Sequence, residues 1–454
     1  MNSLIVSKFG GTSMGSAEAM KKAADLVACR DEVRVVVVSA TSGTTNQLLK
    51  IHRLDDLKKI AEELCLLENR HLDIAKELKC SESQVQALQE IFQELQKCLE
   101  TKSVAEEILD QLLATGERLS SILFTQALIQ AGKNAITMDA RKLLRTDSFF
   151  GRAEPDPKET AALCSSWKNR ILESKDVFVT QGFIGSDAQG RTTTLGRGGS
   201  DYSAALFAEA LAAREVEIWT DVPGILTMDP NVVSSARIIP EISFSEAAEM
   251  ANFGAKVLHP ATLWPAVRAN VPVFVGSTFA PTNGGTRILP DQKSSAPLIR
   301  AIAVRKRQTL ITVSSLRMLN AQGFLAKMFQ VLANHHLSVD LVTTSEVSVA
   351  LTIDEGSLGS GGKSVLENKE LLTELRSFAE VKVEEDLALV AIIGNSLTHT
   401  SGVAAKAFPS IQEFNLRLIC HGASEHNVCF LVSSKEATEV AKRLHHVCIE
   451  WKSI

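Results

Sequence analysis

The run Val-Arg-Val-Val-Val-Val-Ser at residues 33–39 constrains this chain more than any other short stretch. β-Branched side chains without polar alternation suit a strand covered on both faces, inside a parallel sheet whose connections are helices. The surrounding pattern agrees. Leu4–Ser7 reads as a strand and Ala17–Cys29 as a helix, and the strand signal returns at Asp176–Thr180, Glu217–Thr220 and Val271–Gly276 with helical segments between. The first half is expected to be an α/β fold with a mostly parallel central sheet.

Residues 54–113 interrupt that alternation with a charged, almost purely helical insert. Ser81-x-x-Gln84 has the form of a capping box. The apolar spacing is heptad-like but breaks around Cys80, which favours helices packed over a site above a coiled coil. The composition turns loop-like over residues 284–297, and a domain boundary is placed there. Beyond it the chain repeats: Thr309–Ile353 aligns without a gap onto Ala388–Val432, with Gly323/Gly402, Ala326/Ala405, Lys327/Lys406, Phe329/Phe408, Ser345/Ser424 and Glu346/Glu425 identical. Each copy reads strand, glycine turn, helix, strand, turn, strand. Two small α+β modules of one origin, suited to paired binding, are therefore expected. The domain scheme is 1–293, 294–386 and 387–454.

The bulk numbers exclude several classes. A chain of 454 residues with a net charge of -5 carries no basic footprint for nucleic acid or an anionic membrane. No apolar run approaches a bilayer span, and the early Lys8 leads us to expect no signal peptide. The eight cysteines include no Cys-x-x-Cys pair, which argues against a zinc site and for buried thiols of a reducing, cytoplasmic setting.

Two glycine-rich loops carry the chemistry. Lys8-Phe-Gly-Gly-Thr-Ser13 follows a strand and feeds a helix. It is not a Walker A loop, because Ser16-Ala17 stands where Lys-Ser/Thr belongs. A tight turn would explain the glycines alone; Lys8 beside them points to phosphate. Thr193-Thr-Leu-Gly-Arg-Gly-Gly-Ser-Asp201 precedes a helix expected to begin near Tyr202. Ser200 or Asp201 also fits an N-cap, but capping does not require three glycines around an arginine. Close backbone approach to an anion does, with Arg197 free for a carboxylate or phosphate. Alone, Trp219-Thr-Asp-Val-Pro-Gly224 reads as a turn, Glu117 as a solvated glutamate, and Phe253–Pro260 as a helix ending before proline.

Taken together and in this order, these segments resemble the aspartate kinases of the amino-acid-kinase family. The resemblance includes the Ser39–Asn46 loop, Phe150–Asp156, Gln181–Gly185, Phe-Gly-Ala-Lys-Val-Leu-His-Pro at 253–260 and Val271–Val275, and covers essentially the whole chain. It implies an amino-acid-kinase fold followed by two ACT modules, and transfer of the γ-phosphoryl group of MgATP to the β-carboxylate of L-aspartate. That carboxylate is already ionised at neutral pH, so positioned cations and N–H groups suffice and no general base is needed. Other carboxylate kinases such as glutamate 5-kinase, and an inactive amino-acid sensor on the same scaffold, are the alternatives.

By this resemblance Lys8 holds the transferring phosphoryl group and Gly10, Gly11 and Thr12 cradle phosphate. Arg197 grips the α-carboxylate of aspartate and Glu117 its ammonium. Ser39, Thr45, Phe183 and Ser200 line the aspartate pocket, which Asp201 orients. Thr220, Asp221, Lys256 and Val257 match the nucleotide site, with Lys256 on the phosphates. No protein ligand to Mg²⁺ is assigned; phosphates and water hold it. Leu226 and Asn231 replace a tyrosine and an arginine expected beside the nucleotide. In the first module Met318, Gly323, Phe324, Leu325, Ser338, Val339, Asp340, Thr344, Ser345 and Glu346 resemble a lysine-binding site, although Asn320 and Ala321 replace expected polar residues. A turn into a helix offers N–H groups to a carboxylate there, and Asp340 or Glu346 would accept from the ammonium. Lysine is the expected allosteric inhibitor, and at least a homodimer through the ACT modules is implied.

Overall fold

The structure, a computed structural model, describes residues 4–100, 105–254, 260–290, 298–319, 322–354 and 364–450, without the side chains of residues 260–262. Two compact units are present, one within Met1–Ile225, Ile238–Ala247 and Val257–Gln292, the other within Leu226–Arg237, Ala248–Lys256 and Lys293–Ile454.

In the first unit the valine run becomes β2 (Val33–Val38), next to β1 (Ile5–Phe9). The sheet adds β3 (Ala135–Met138), β4 (Val177–Gln181), β7 (Glu215–Thr220), β8 (Glu241–Ser243), β9 (Val273–Ser277) and β10 (Gly285–Leu289). Its order is β3-β4-β2-β1-β7-β9-β10-β8. Every pairing is parallel except β9 with β10, so the expected mostly parallel sheet is present. A separate hairpin joins β5 (Ile184–Ser186) to β6 (Thr192–Thr194). Around the sheet lie α1 (Ala17–Ala28), α2 (Thr44–His52), α6 (Thr115–Gln130), α7 (Pro157–Glu173), α8 (Gly199–Leu211) and α10 (Pro260–Ala269), while α9 (Phe244–Asn252) is divided between the two units. Because β4, β2, β1 and β7 are parallel neighbours, the loops that follow them emerge at one edge. Ligands of open α/β sheets bind at that edge.

The insert forms α3 (Leu57–Glu77), α4 (Glu82–Glu100) and α5 (Glu106–Leu113). Ser81 and Gln84 make the reciprocal bonds of a capping box, 2.9 Å from Ser81 N–H to Gln84 Oε1 and 3.4 Å from Gln84 N–H to Ser81 Oγ. The helices are not a free coiled coil. Leu67, Ile74, Leu88, Phe92 and Leu95 join Val36, Val38, Leu119 and Phe124 in the core of the unit.

The second unit contains the repeat as one antiparallel sheet of order β12-β13-β11-β14-β16-β15, palindromic about its central pair. The strands are β11 (Ile299–Ser314), β12 (Val342–Thr344), β13 (Ser348–Asp354), β14 (Glu380–Gly394), β15 (Ile419–His421) and β16 (Asn427–Ser433). Gly323 (φ 82°) and Gly402 (φ 84°) cap the equivalent helices α11 (Phe324–Asn334) and α13 (Val403–Ala407), in a left-handed backbone that glycine adopts without strain. With α12 (Lys369–Arg376) and α14 (Ala437–His445) they cover two cores. Each long central strand serves both. Ile299 and Ile302 pack with Val390, Phe430 and Leu444, while Ile311 and Val381 pack with Met328 and Leu371. β11 and β14 stay paired along their length, and their register shifts at bulges where Arg307 (φ 61°) and Asp386 (φ 58°) are left-handed.

Candidate active site

The two glycine loops meet. A cleft of about 570 Å³ at the ends of β1, β2, β4 and β7 is lined by both, including Lys8, Gly11, Glu117, Arg197, Asp201 and Thr220. Ser39, Thr45, Phe183, Ser200, Gly10, Thr12 and Asp221 line it as well. Lys256 and Val257 lie outside the described residues.

Lys8 leaves the end of β1 and its Nζ lies 2.6 Å from Asp201 Oδ1, both side chains largely buried. Gly10 continues toward β7 and donates its N–H to the Trp219 carbonyl at 2.9 Å. A Cβ on Gly11 would stand 3.2 Å from the Ala40 carbonyl, so the bare backbone lets the first two loops close together.

The second loop enters α8 at Gly199, three residues before the expected start near Tyr202. Its N-cap is Gly198 (φ 75°) with no side-chain cap bond, so neither Ser200 nor Asp201 is the N-cap. The start is set by packing. A Cβ on Gly199 would lie 2.8 Å from Phe183 Cδ2, and one on Gly182 would lie 2.8 Å from Ser200 Cα. Phe183 itself is left-handed (φ 69°), with its N–H on Ser203 Oγ at 3.0 Å. Strain of this kind persists where surrounding packing enforces it. Asp201 thus occupies the first turn of a helix, where a carboxylate is favoured, and faces Lys8. Arg197 is exposed and makes no ion pair or hydrogen bond among the described residues, leaving its guanidinium for a ligand. Gly182→Ala is expected to displace Ser200 and Asp201 together. The expected cost is about 1–3 kcal/mol of stability and on the order of tenfold in kcat/KM, read by urea unfolding and initial rates.

Glu117 is not solvated. It is 4% exposed, its Oε1 accepts the Ala40 N–H at 3.1 Å, and its buried Oε2 has no hydrogen-bond partner among the described residues. Burial pushes its pKa up to about 8, opposed by the Ala40 N–H and by the charge of Lys8. Its environment is assembled from three segments, so local sequence gave no sign of it.

In the second unit, Met318, Gly323, Phe324, Leu325, Ser345 and Glu346 line one cavity of about 420 Å³ with Leu319 and Ala326. Ser338, Val339, Asp340 and Thr344 do not line it. Asp340 is instead paired with Arg305 at 2.6 Å, which leaves Glu346 as the acidic group at that cavity. Asn231 bonds Asp229 Oδ1 through its own N–H and side chain, at 2.9 and 3.0 Å. Asn320 and Ala321 lie outside the described residues.

Comparison with known proteins places this geometry. Residues 3–277 match the family model described as the amino acid kinase family. Over 449 residues the chain is 47% identical to lysine-sensitive aspartokinase 3 of Escherichia coli (strain K12), covering 98% of this chain and 99% of that one. The chain belongs to the aspartokinases of the amino acid kinase family. An ACT domain model also matches, at residues 390–447. Among solved aspartokinases, E. coli aspartokinase III in complex with aspartate and ADP (R-state) is 47% identical with a TM-score of 0.84, over 99% of this chain and 100% of that one. The same enzyme in complex with lysine and aspartate (T-state) is 46% identical with a TM-score of 0.83, over 98% and 100%. No described helix is long and apolar enough to cross a membrane.

Proposed function

We propose that this chain is an aspartate kinase that transfers the γ-phosphoryl group of ATP to the β-carboxylate of L-aspartate, giving β-aspartyl phosphate and ADP. It would catalyse the first step toward lysine, threonine and methionine. The observation that carries this reading is the convergence on one cleft of Lys8, Arg197, Asp201 and the half-unanswered carboxyl of Glu117. A substrate with an α-carboxylate and an α-ammonium answers Arg197 and Glu117, and its side-chain carboxylate then points toward Lys8.

The aspartate oxygen forms the new P–O bond while the bond to the ADP oxygen breaks, and no proton moves. Lys8 meets the growing charge on the phosphoryl oxygens, and the N–H groups of Gly10–Thr12 and of the first turn of α8 supply further donors. Asp201 fixes the direction of the Lys8 ammonium. Thr220 and Asp221 would contact the nucleotide, and Lys256 and Val257 are assigned to it by family resemblance. Among the described residues no cluster of three His, Cys, Asp or Glu side chains forms a metal site. Mg²⁺ would be held mainly by phosphates and water, with Asp201 and Asp221 as carboxylates of the same cleft; when bound, that ion would shield phosphate charge.

Residues 1–293 would carry catalysis and the modules 294–386 and 387–454 regulation. Lysine, which the T-state relative binds, fits the cavity of the first module: N–H groups at the start of α11 for its carboxylate and Glu346 for an ammonium. Leu316, Leu319, Leu325, Phe329, Val342 and Val347 of that module are exposed apolar side chains, which suits burial in a homodimer. Among the described residues none of the eight cysteines forms a disulfide, which accords with a cytoplasmic setting.

Hydroxylamine trapping of the acyl phosphate tests the reading. Hydroxamate should form with aspartate and not with glutamate, and millimolar lysine should suppress it. Equal turnover of glutamate would move the chain to another carboxylate kinase, absence of turnover would favour the sensor, and inhibition by threonine alone would remove the lysine assignment.

A further inference from the structure

We infer that Arg70 and His71, on α3 of the helical insert, are positioning residues for the substrate loop Ser39–Asn46, acting through a one-way chain of hydrogen bonds into Thr41 and Thr44. The inference rests on reading the cleft as an aspartate and ATP site. Neither residue lines the cleft, whereas seven residues of the loop do: Ser39, Ala40, Thr41, Ser42, Gly43, Thr45 and Asn46.

The direction of the chain is fixed from both ends. His71 is fully buried and its Nδ1 lies 2.8 Å from the Leu67 carbonyl, so Nδ1 must carry the hydrogen. Burial lowers the pKa of the ring to about 4, which keeps it neutral and makes Nε2 an acceptor. The Thr41 hydroxyl, 3.0 Å away, therefore donates to Nε2. With its one proton committed, Thr41 Oγ1 accepts from the Thr44 hydroxyl at 2.5 Å. Thr44 Oγ1 in turn accepts from Arg70 Nη2, and a guanidinium can only donate. Both threonines are buried, and each hydroxyl both donates and accepts. A chain satisfied throughout holds one arrangement, because reversing any link would leave two donors or two acceptors face to face.

The neighbours make the clamp two-sided. Arg70 Nη1 also donates to the Ser42 carbonyl at 3.3 Å, and no carboxylate pairs with this guanidinium among the described residues. The edge of His71 rests on Phe92 of α4, with ring centroids 5.9 Å apart. On the far side Glu117 accepts the Ala40 N–H, and the missing side chain of Gly116 makes room for Ala40 Cβ and Thr44 Cγ2. Ser39 and Thr45, the two loop residues assigned to aspartate, are thus held from α6 and α3 at once. The insert, which reads in sequence as helices packed over a site, contributes through this contact.

Loss of the chain should weaken aspartate far more than ATP. In the full-length enzyme, Thr41→Val, His71→Leu and Arg70→Gln should each raise the KM for aspartate about five- to tenfold, the worth of one net hydrogen bond. The KM for ATP should move less than about twofold. Thr41→Ser, which keeps the hydroxyl, should restore the aspartate KM. Combining Thr41→Val with His71→Leu should cost no more than the larger single effect, because both break one chain. Arg70 is only half-buried, so Arg70→Gln carries the test if a core variant fails to fold. An aspartate KM within twofold of wild type in all three variants overturns the inference. So does an equal rise in both KM values, or a fall in melting temperature with the KM ratio unchanged, either of which marks a purely structural contact. A wild-type chain that makes no aspartyl hydroxamate defeats the functional reading instead.

Discussion

Lys8→Met should lower kcat for aspartyl phosphate formation by at least about a thousandfold, the range seen when a cation is withdrawn from a phosphoryl-transfer site. Lys8 is the one cation that the described structure places at the phosphate loop, at the buried end of β1 and 2.6 Å from Asp201. Removing it takes away a positive charge and also leaves the Asp201 carboxylate uncompensated beside incoming phosphates. The second effect is separable. Asp201→Asn retains the ammonium and should cost clearly less than Lys8→Met. The double variant Lys8→Met/Asp201→Asn relieves the unpaired charge, so its melting temperature should recover while its activity does not. Hydroxamate formation and a thermal melt on the three variants read both quantities. A loss smaller than about tenfold in Lys8→Met would detach this lysine from the transfer step.

How much of this was legible in the chain depends on the range of the interaction. The valine run declared β2 because its burial on both faces is written into consecutive residues. The internal repeat declared Gly323 and Gly402, and each does cap a helix in the left-handed backbone. Lys8 and Arg197 could be singled out because glycines beside a cation have few uses, and both line the cleft.

What escaped is set by contacts distant in sequence. The start of α8 lies at Gly199 because the Phe183 ring occupies the space a Cβ there would need, sixteen positions after that ring in the chain. Asp340 reads as an ammonium acceptor, and Arg305, on β11, takes it up. Arg70 and His71 sit in a helix with ordinary periodicity; only the fold brings Thr41 and Thr44 to them. The bulges at Arg307 and Asp386, which let two central strands serve two cores, have no signature of their own because neither position is glycine.

Between pH 6 and 8 the KM for aspartate should fall as pH rises, by up to about tenfold per unit, and level off above about pH 8. The cause is Glu117. Burial holds its pKa up to about 8, so its carboxyl is mostly protonated in the free enzyme at neutral pH. An α-ammonium placed against Oε2, which no described residue bonds, favours the carboxylate, so aspartate binds while a proton leaves. Calorimetry at pH 7 in two buffers of different ionisation enthalpy should register release of close to one proton. Stability without ligand runs the other way. The folded pKa is raised above its ordinary 4.5, so the contribution from protonated Glu117 is complete below about 4.5 and is lost as pH rises through about 8. Glu117→Gln keeps the shape and the neutral state. It should therefore flatten both the decline in melting temperature and the KM profile, while raising the aspartate KM on the order of a hundredfold at pH 8 for want of an anionic partner. A Gln variant that keeps the wild-type pH profile would show that some other group titrates, and that the ammonium of aspartate is held elsewhere.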